Sequence, residues 1–78
     1  MTTNTVAPWF KSKPPLVGDY TASREMNDEV RRHWDGEGWS APWWAADPED
    51  IAARARRTRA ERPMLGEVFE PIRWQAPR

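Results

Sequence analysis

His33 is the one imidazole in the sequence, and Asp35 and Glu37 follow it closely. An imidazole among carboxylates is the raw material of general acid–base chemistry or of a metal centre. A metal needs three or four converging ligands, and one histidine with two acids on a strand running into a turn does not supply them. His33 therefore reads as a cross-strand partner. There is no cysteine, so no thiolate nucleophile or ligand. Ser12, Ser23 and Ser40 would have to share the single imidazole, and neither a Walker loop nor a Gly-x-Gly fingerprint is present. The residues argue against an enzyme, and none is assigned a catalytic, cofactor-binding or metal-binding role.

The second chemistry-bearing group is basic. Arg54, Arg56, Arg57, Arg59 and Arg62 stand against Glu61 alone. On a helix, Arg54, Arg57 and Glu61 share one flank, and Arg56 and Arg59 another. Guanidinium groups beside exposed indoles can grip a single strand, with phosphates on the arginines and bases on the rings. The preferred reading is a solvated face whose arginine stems lie over tryptophan rings. Twelve basic and twelve acidic residues cancel, so no global field draws the chain toward nucleic acid or membrane.

Six tryptophans are the third group, and four of them lie in residues 30–44 around Asp35-Gly36-Glu37-Gly38. Each buried indole removes about 150–250 Å² from water, or about 4–6 kcal/mol. That concentration of buriable area lets a 78-residue chain without disulfides form one small domain. Six exceed what one small face needs, so Trp9 or Trp44 is expected to stay partly exposed. With Arg54 and Arg57 these form the candidate interaction surface, because Trp and Arg are enriched at binding hot spots.

The elements that must position these groups follow from periodicity. Residues 16–24 alternate with Leu16, Gly18, Tyr20 and Ala22 on one side, as a strand does. Residues 29–34 form the next strand, with Val30, Arg32 and Trp34 together. A four-residue turn places Trp39 opposite Trp34, a two-residue Asp-Gly turn places it opposite Arg32, and a three-residue loop puts it on the His33 side. Trp43 then follows Trp39 by alternation, with Trp44 pointing away unless Pro42 has ended the strand. Asp47-Pro48-Glu49-Asp50 opens a helix over residues 48–62, with Asp47 as cap, and Pro63 stops it. Val68, Ile72 and Trp74 mark a last strand over 68–74, at the sheet edge because of Pro71.

The expected class is α+β. A small antiparallel sheet, made of a three-stranded meander and a C-terminal edge strand, carries one helix in the order β-β-β-α-β. Residues 1–15 are expected as a flexible arm, 16–75 as the single domain and 76–78 as a tail. The Trp9-Phe10 pair interrupts the arm and is expected to fold back on an apolar edge. The expected core is Tyr20, Trp34, Trp39, Trp43, Ile51, Ala55, Ile72 and Trp74. The N-terminus lacks the basic start and apolar run of a signal peptide, and no stretch is long enough to span a bilayer. The sequence reads as cytoplasmic, with no membrane contact.

Pro15-Leu-Val-Gly18-Asp-Tyr20, Arg32-His-Trp34-Asp35-Gly36-Glu-Gly-Trp39-Ser40, the Pro-Glu-Asp helix start and Ile72-Arg-Trp74 together resemble a group of small uncharacterised proteins encoded by bacteriophages and prophages. Those often read Pro-x-x-Gly-x-Tyr, Tyr-Trp-Asp-Gly-x-x-Trp and a terminal Trp-Arg-Gly. His33 stands where Tyr is usual, and Gln75 follows Trp74 where Arg-Gly is expected. The resemblance covers most of residues 15–74. It implies a phage context inside a bacterial host and transfers no site residues. The leading expectation is a non-enzymatic interaction module that binds a host or phage protein through a Trp/Arg surface, without a cofactor. The alternatives are a small nucleic-acid-binding accessory protein using residues 54–62, and a structural or self-associating homodimer.

Overall fold

The computed structural model describes residues 7–61 and 71–77. In chain order these form β1 (Gly18–Ser23), β2 (Val30–Trp34), β3 (Trp43–Trp44), α1 (Glu49–Arg56) and β4 (Arg73–Trp74). The four strands make one antiparallel sheet in the spatial order β3-β2-β1-β4, so the molecule is α+β. The elements are shorter than periodicity suggests. Of the last strand expected over 68–74, Val68 and Phe69 lie outside the described residues.

Directly opposed residues in an antiparallel pair share a face. Tyr20 opposes Arg32, Gly18 opposes Trp34, and Ala22 opposes Trp74. Tyr20, Ala22, Trp34 and Trp74 are buried together on that face, with Trp39 and Ile72 half-buried against them. Tyr20 meets Trp74 edge-on at 5.2 Å and Trp39 at 5.9 Å, and Trp34 tilts against Trp39 at 5.1 Å. Edge-on and tilted contacts suit the ring quadrupoles, so this aromatic face is well matched as well as apolar.

Trp34 bridges Trp39, which selects the four-residue turn among the three registers. The alternation then breaks. Trp34 opposes Trp39 but Arg31 opposes Trp43, so residues 39–43 contain one residue more than the stretch of β2 they face. This is a bulge. Its chemistry centres on Ser40. The Ser40 amide donates to the His33 carbonyl at 2.9 Å, while the Ser40 hydroxyl accepts the His33 amide at 2.9 Å. The Ser40 carbonyl receives the Arg32 guanidinium instead, also at 2.9 Å. Arg32 is only 6% exposed and its Nε has no partner, and burial pushes its pKa down to about 10. Ser40→Ala removes the acceptor that replaces the ladder carbonyl. It is expected to cost about 1–3 kcal/mol in a urea melt, the usual penalty for a buried unpaired amide.

The bulge corrects the expectation that Trp43 shares the face of Trp34 and Trp39. Trp43 instead turns to the opposite face, where it is buried against Ala52 and Ala55 of α1 with Ala41 beside it. The molecule thus carries an indole cluster on each side of its sheet. Small residues one turn apart let the helix lie close on the indole. Ile51 falls outside that seam and is 39% exposed, so it does not belong to the core as expected.

Helix α1 also departs from expectation at both ends. Pro48 is the N-cap residue, without a side-chain capping bond. Asp47 does not cap; its carboxylate accepts the Trp44 amide at 2.8 Å and closes the 44–47 turn. The helix ends at Arg56 with Arg57 as C-cap, and the Thr58 hydroxyl donates to the Arg54 carbonyl. Beyond it the chain is extended. Ala41 donates to the Thr58 carbonyl and Ala60 to the Trp39 carbonyl, with Ser40 bridging Arg59. Those bonds, together with a β-branched threonine, override the helix propensity of 58–61.

Of residues 1–15, expected as a flexible arm, 1–6 lie outside the described residues, and in 7–15 the pair Trp9-Phe10 folds back on the sheet edge as expected. Phe10 and Trp74 exchange backbone bonds of 2.7 and 3.0 Å, and their rings lie 5.0 Å apart. The Trp74 indole donates to the Ser12 carbonyl at 2.6 Å, and Gln75 donates to the Ala7 carbonyl at 3.0 Å. The N-terminal segment therefore covers the outer edge of β4, protecting an otherwise open strand edge.

Candidate interaction site

His33 lies opposite Asp19 in the β1–β2 register, and its Nδ1 sits 2.8 Å from the Asp19 carboxylate. A carboxylate can only accept, so the proton belongs on Nδ1. Asp19 also accepts Arg56 Nε at 3.0 Å, and Arg56 reaches Glu49 two helical turns back. The Arg56 guanidinium lies 5.0 Å above the Trp43 ring, and Glu49 holds its charge more firmly than usual. His33, Asp19, Arg56 and Glu49 form a continuous chain of polar contacts that ties α1 to the sheet. The acids beside His33 in sequence are not its partners. The Ser40 hydroxyl does not pair with the imidazole; it accepts the His33 amide and donates to the Ala41 carbonyl. Among the described residues no group of three or more His, Cys, Asp or Glu is placed to hold a metal.

Asp35 builds the turn. Its carboxylate accepts the amides of Glu37 and Gly38, both at 2.8 Å, and those bonds hold its pKa below the ordinary aspartate value. Gly36 takes φ +97°, a left-handed conformation that suits glycine. Because folding lowers the pKa, the stabilisation from Asp35 is complete above the ordinary aspartate value and fades as pH falls through the depressed one. Asp35→Asn is expected to be less stable than the parent at neutral pH. The gap should narrow in acid melts below about pH 4.

The four expected surface residues do not form one patch. Trp9 is half-buried in the segment beside β4. Trp44 lies in β3 at the opposite edge of the sheet and keeps 53% of its surface in water. It opposes Val30, so it belongs to the face away from α1. Arg54 and Arg57 are exposed on the helix side. The basic stripe is divided as well. Arg54 and Arg56 are helical, Arg57 caps, Arg59 lies in the extended segment 3.4 Å from Asp35, and Arg62 is outside the described residues.

What the structure does present is an exposed tryptophan, Trp44, on a tethered backbone. The Trp44 amide is held by Asp47, its carbonyl receives the Asp47 amide at 2.9 Å, and the Ala45 amide is bound to the Glu29 carbonyl at 2.8 Å. The backbone under the exposed indole is tied on both sides. Leu16 and Val17 supply further exposed apolar surface, 71% and 62%, with Val17 beside Gly36. Sequence reasoning did not single out Leu16 or Val17; their place just before β1, outside the pairing of Gly18 with Trp34, was the missing signal. No described helix is long and apolar enough to cross a membrane. Comparison with protein-family models, curated proteins and solved structures finds no match to this chain.

Proposed function

We propose that the protein is a non-enzymatic protein-interaction module of phage or prophage origin, acting inside a bacterial host with Trp44 as its anchor. The observation that carries this reading is an indole more than half exposed on a backbone held by Asp47 and Glu29. A large ring on a backbone that needs no ordering spares part of the entropy cost of binding, and such rings dominate interface energetics. The partner is a host or phage protein. Nucleic acid is less supported, because Arg56 is committed to Asp19 and Glu49, and the acids Glu49 and Asp50 occupy the first turn of the same helix.

The test is capture from host lysate by the parent and by Trp44→Ala, with and without nuclease. Trp44→Ala should stay folded, since more than half of the residue is already in water, yet bind its protein partner at least about tenfold more weakly, as hot-spot truncations do. Partners that vanish with nuclease would favour the nucleic-acid reading. Concentration-dependent sedimentation of the parent, abolished by Trp44→Ala, would favour the homodimer. Capture indifferent to Trp44→Ala overturns the anchor.

A further inference from the structure

A crease of about 340 Å³ separates the 35–38 turn from the segment that follows α1. Arg56, Arg57, Arg59 and His33 line it, and Asp35 is the one carboxylate among the lining residues. In a chain of zero net charge this is a local excess of positive groups.

The state of each group defines what the crease lacks. Arg56 is fixed by Asp19, Glu49 and the Trp43 ring, so it is a rigid wall. The Arg59 Nη1 lies so close over Gly38 that a Cβ there would stand 2.6 Å from it. Its contact with Asp35, at 3.4 Å, is longer than the 2.7–2.9 Å of a good charge-assisted bond, and Asp35 already accepts two amides. Arg57 is exposed, and no ion pair holds it among the described residues. The hydroxyls of Ser40 and Thr58 donate to the carbonyls of Ala41 and Arg54. The unmet capacity is therefore guanidinium N–H beside one partly engaged acid.

We propose that this crease binds a phosphate monoester carried by a small molecule, with Arg57 and Arg59 as its ligands. A phosphate dianion offers several oxygens to two planar donor forks, and it gains more from two guanidiniums than a carboxylate monoanion does. The volume falls at the lower end of small-ligand pockets, which begin at about 300 Å³. A polynucleotide backbone needs a longer positive track, and here Glu49 and Asp50 occupy the other end of the same helix. This site is separate from Trp44, which belongs to the opposite face of the sheet.

The experiment is a ¹⁵N NMR titration of the full chain with inorganic phosphate and with adenosine monophosphate, against sodium chloride at matched ionic strength. Saturable shifts confined to the amides of residues 33, 38–40 and 57–59 are expected with both phosphates. Arg57→Glu and Arg59→Gln should each weaken binding about tenfold or more while leaving the rest of the spectrum in place. Tighter binding of the nucleotide than of phosphate identifies a nucleotide ligand; equal binding identifies the phosphate group alone. Trp44→Ala should bind phosphate as the parent does, so this site and the protein-binding anchor can fail independently. Shifts reproduced by chloride, shifts that do not saturate, or indifference to Arg57→Glu would overturn the proposal.

Discussion

Trp34→Ala should leave the chain largely unfolded. Trp34 is 5% exposed, sits at the end of β2 opposite Gly18, and supports Trp39 at 5.1 Å. Deleting a buried indole costs about 3–5 kcal/mol, from lost transfer energy and the cavity left behind. A domain of this length has about 4–12 kcal/mol to lose, and a sheet this small stands toward the lower figure. Urea melts and NMR dispersion check the result. Trp44→Ala is the matched control, an indole deleted one strand away that is already 53% in water, and should cost no more than about half as much. Native dispersion in Trp34→Ala would show that the aromatic face is not what holds the sheet.

Trp74→Ala should be as damaging and should also release the N-terminal segment. Trp74 packs on Phe10 and Tyr20, pairs its backbone with Phe10, and donates its indole proton to the Ser12 carbonyl. Loss of the ring again costs about 3–5 kcal/mol. Trp74→Phe separates the two roles. It keeps most of the apolar contact but leaves the Ser12 carbonyl unmatched, for a cost of about 1–2 kcal/mol. Amide exchange at Phe10 should then accelerate more than exchange in β2. Equal acceleration in both places would mean that the segment and the sheet unfold together, and that the indole bond has no local role.

The parts of this architecture legible in the sequence are the local ones. Alternation in 18–22 and 30–34 marks the two central strands, and Pro48-Glu49-Asp50 marks the helix start, because each signal is complete within a few residues. The helix end was hidden. Arginine and alanine through residue 60 favour continuation, and what stops the helix is a set of bonds from 58–60 to 39–41, distant in sequence. The bulge was hidden for a similar reason: it depends on a serine hydroxyl taking the place of a carbonyl and on an arginine from the neighbouring strand donating to the serine's own carbonyl. His33 shows the same limit. Its acid is Asp19, fourteen residues away, and only the strand register brings them together. The candidate site suffered most, since one extra residue in 39–43 swaps the sides to which Trp43 and Trp44 point.

That swap has a consequence for the tandem Trp43-Trp44. Two identical neighbours make the strand blind to its own frame: moving it along by one position exchanges the inward ring for the outward one and leaves the composition of both faces unchanged. Hydrophobicity, which ordinarily sets register, gives no preference here. The decision passes to polar and steric details on either side, namely Ser40 in the bulge, the Asp47 carboxylate on the Trp44 amide, and the two alanines shaped to receive one indole. Which tryptophan the molecule shows to the outside is therefore written in its neighbours, and a lineage could exchange the displayed ring for the hidden one without altering either tryptophan.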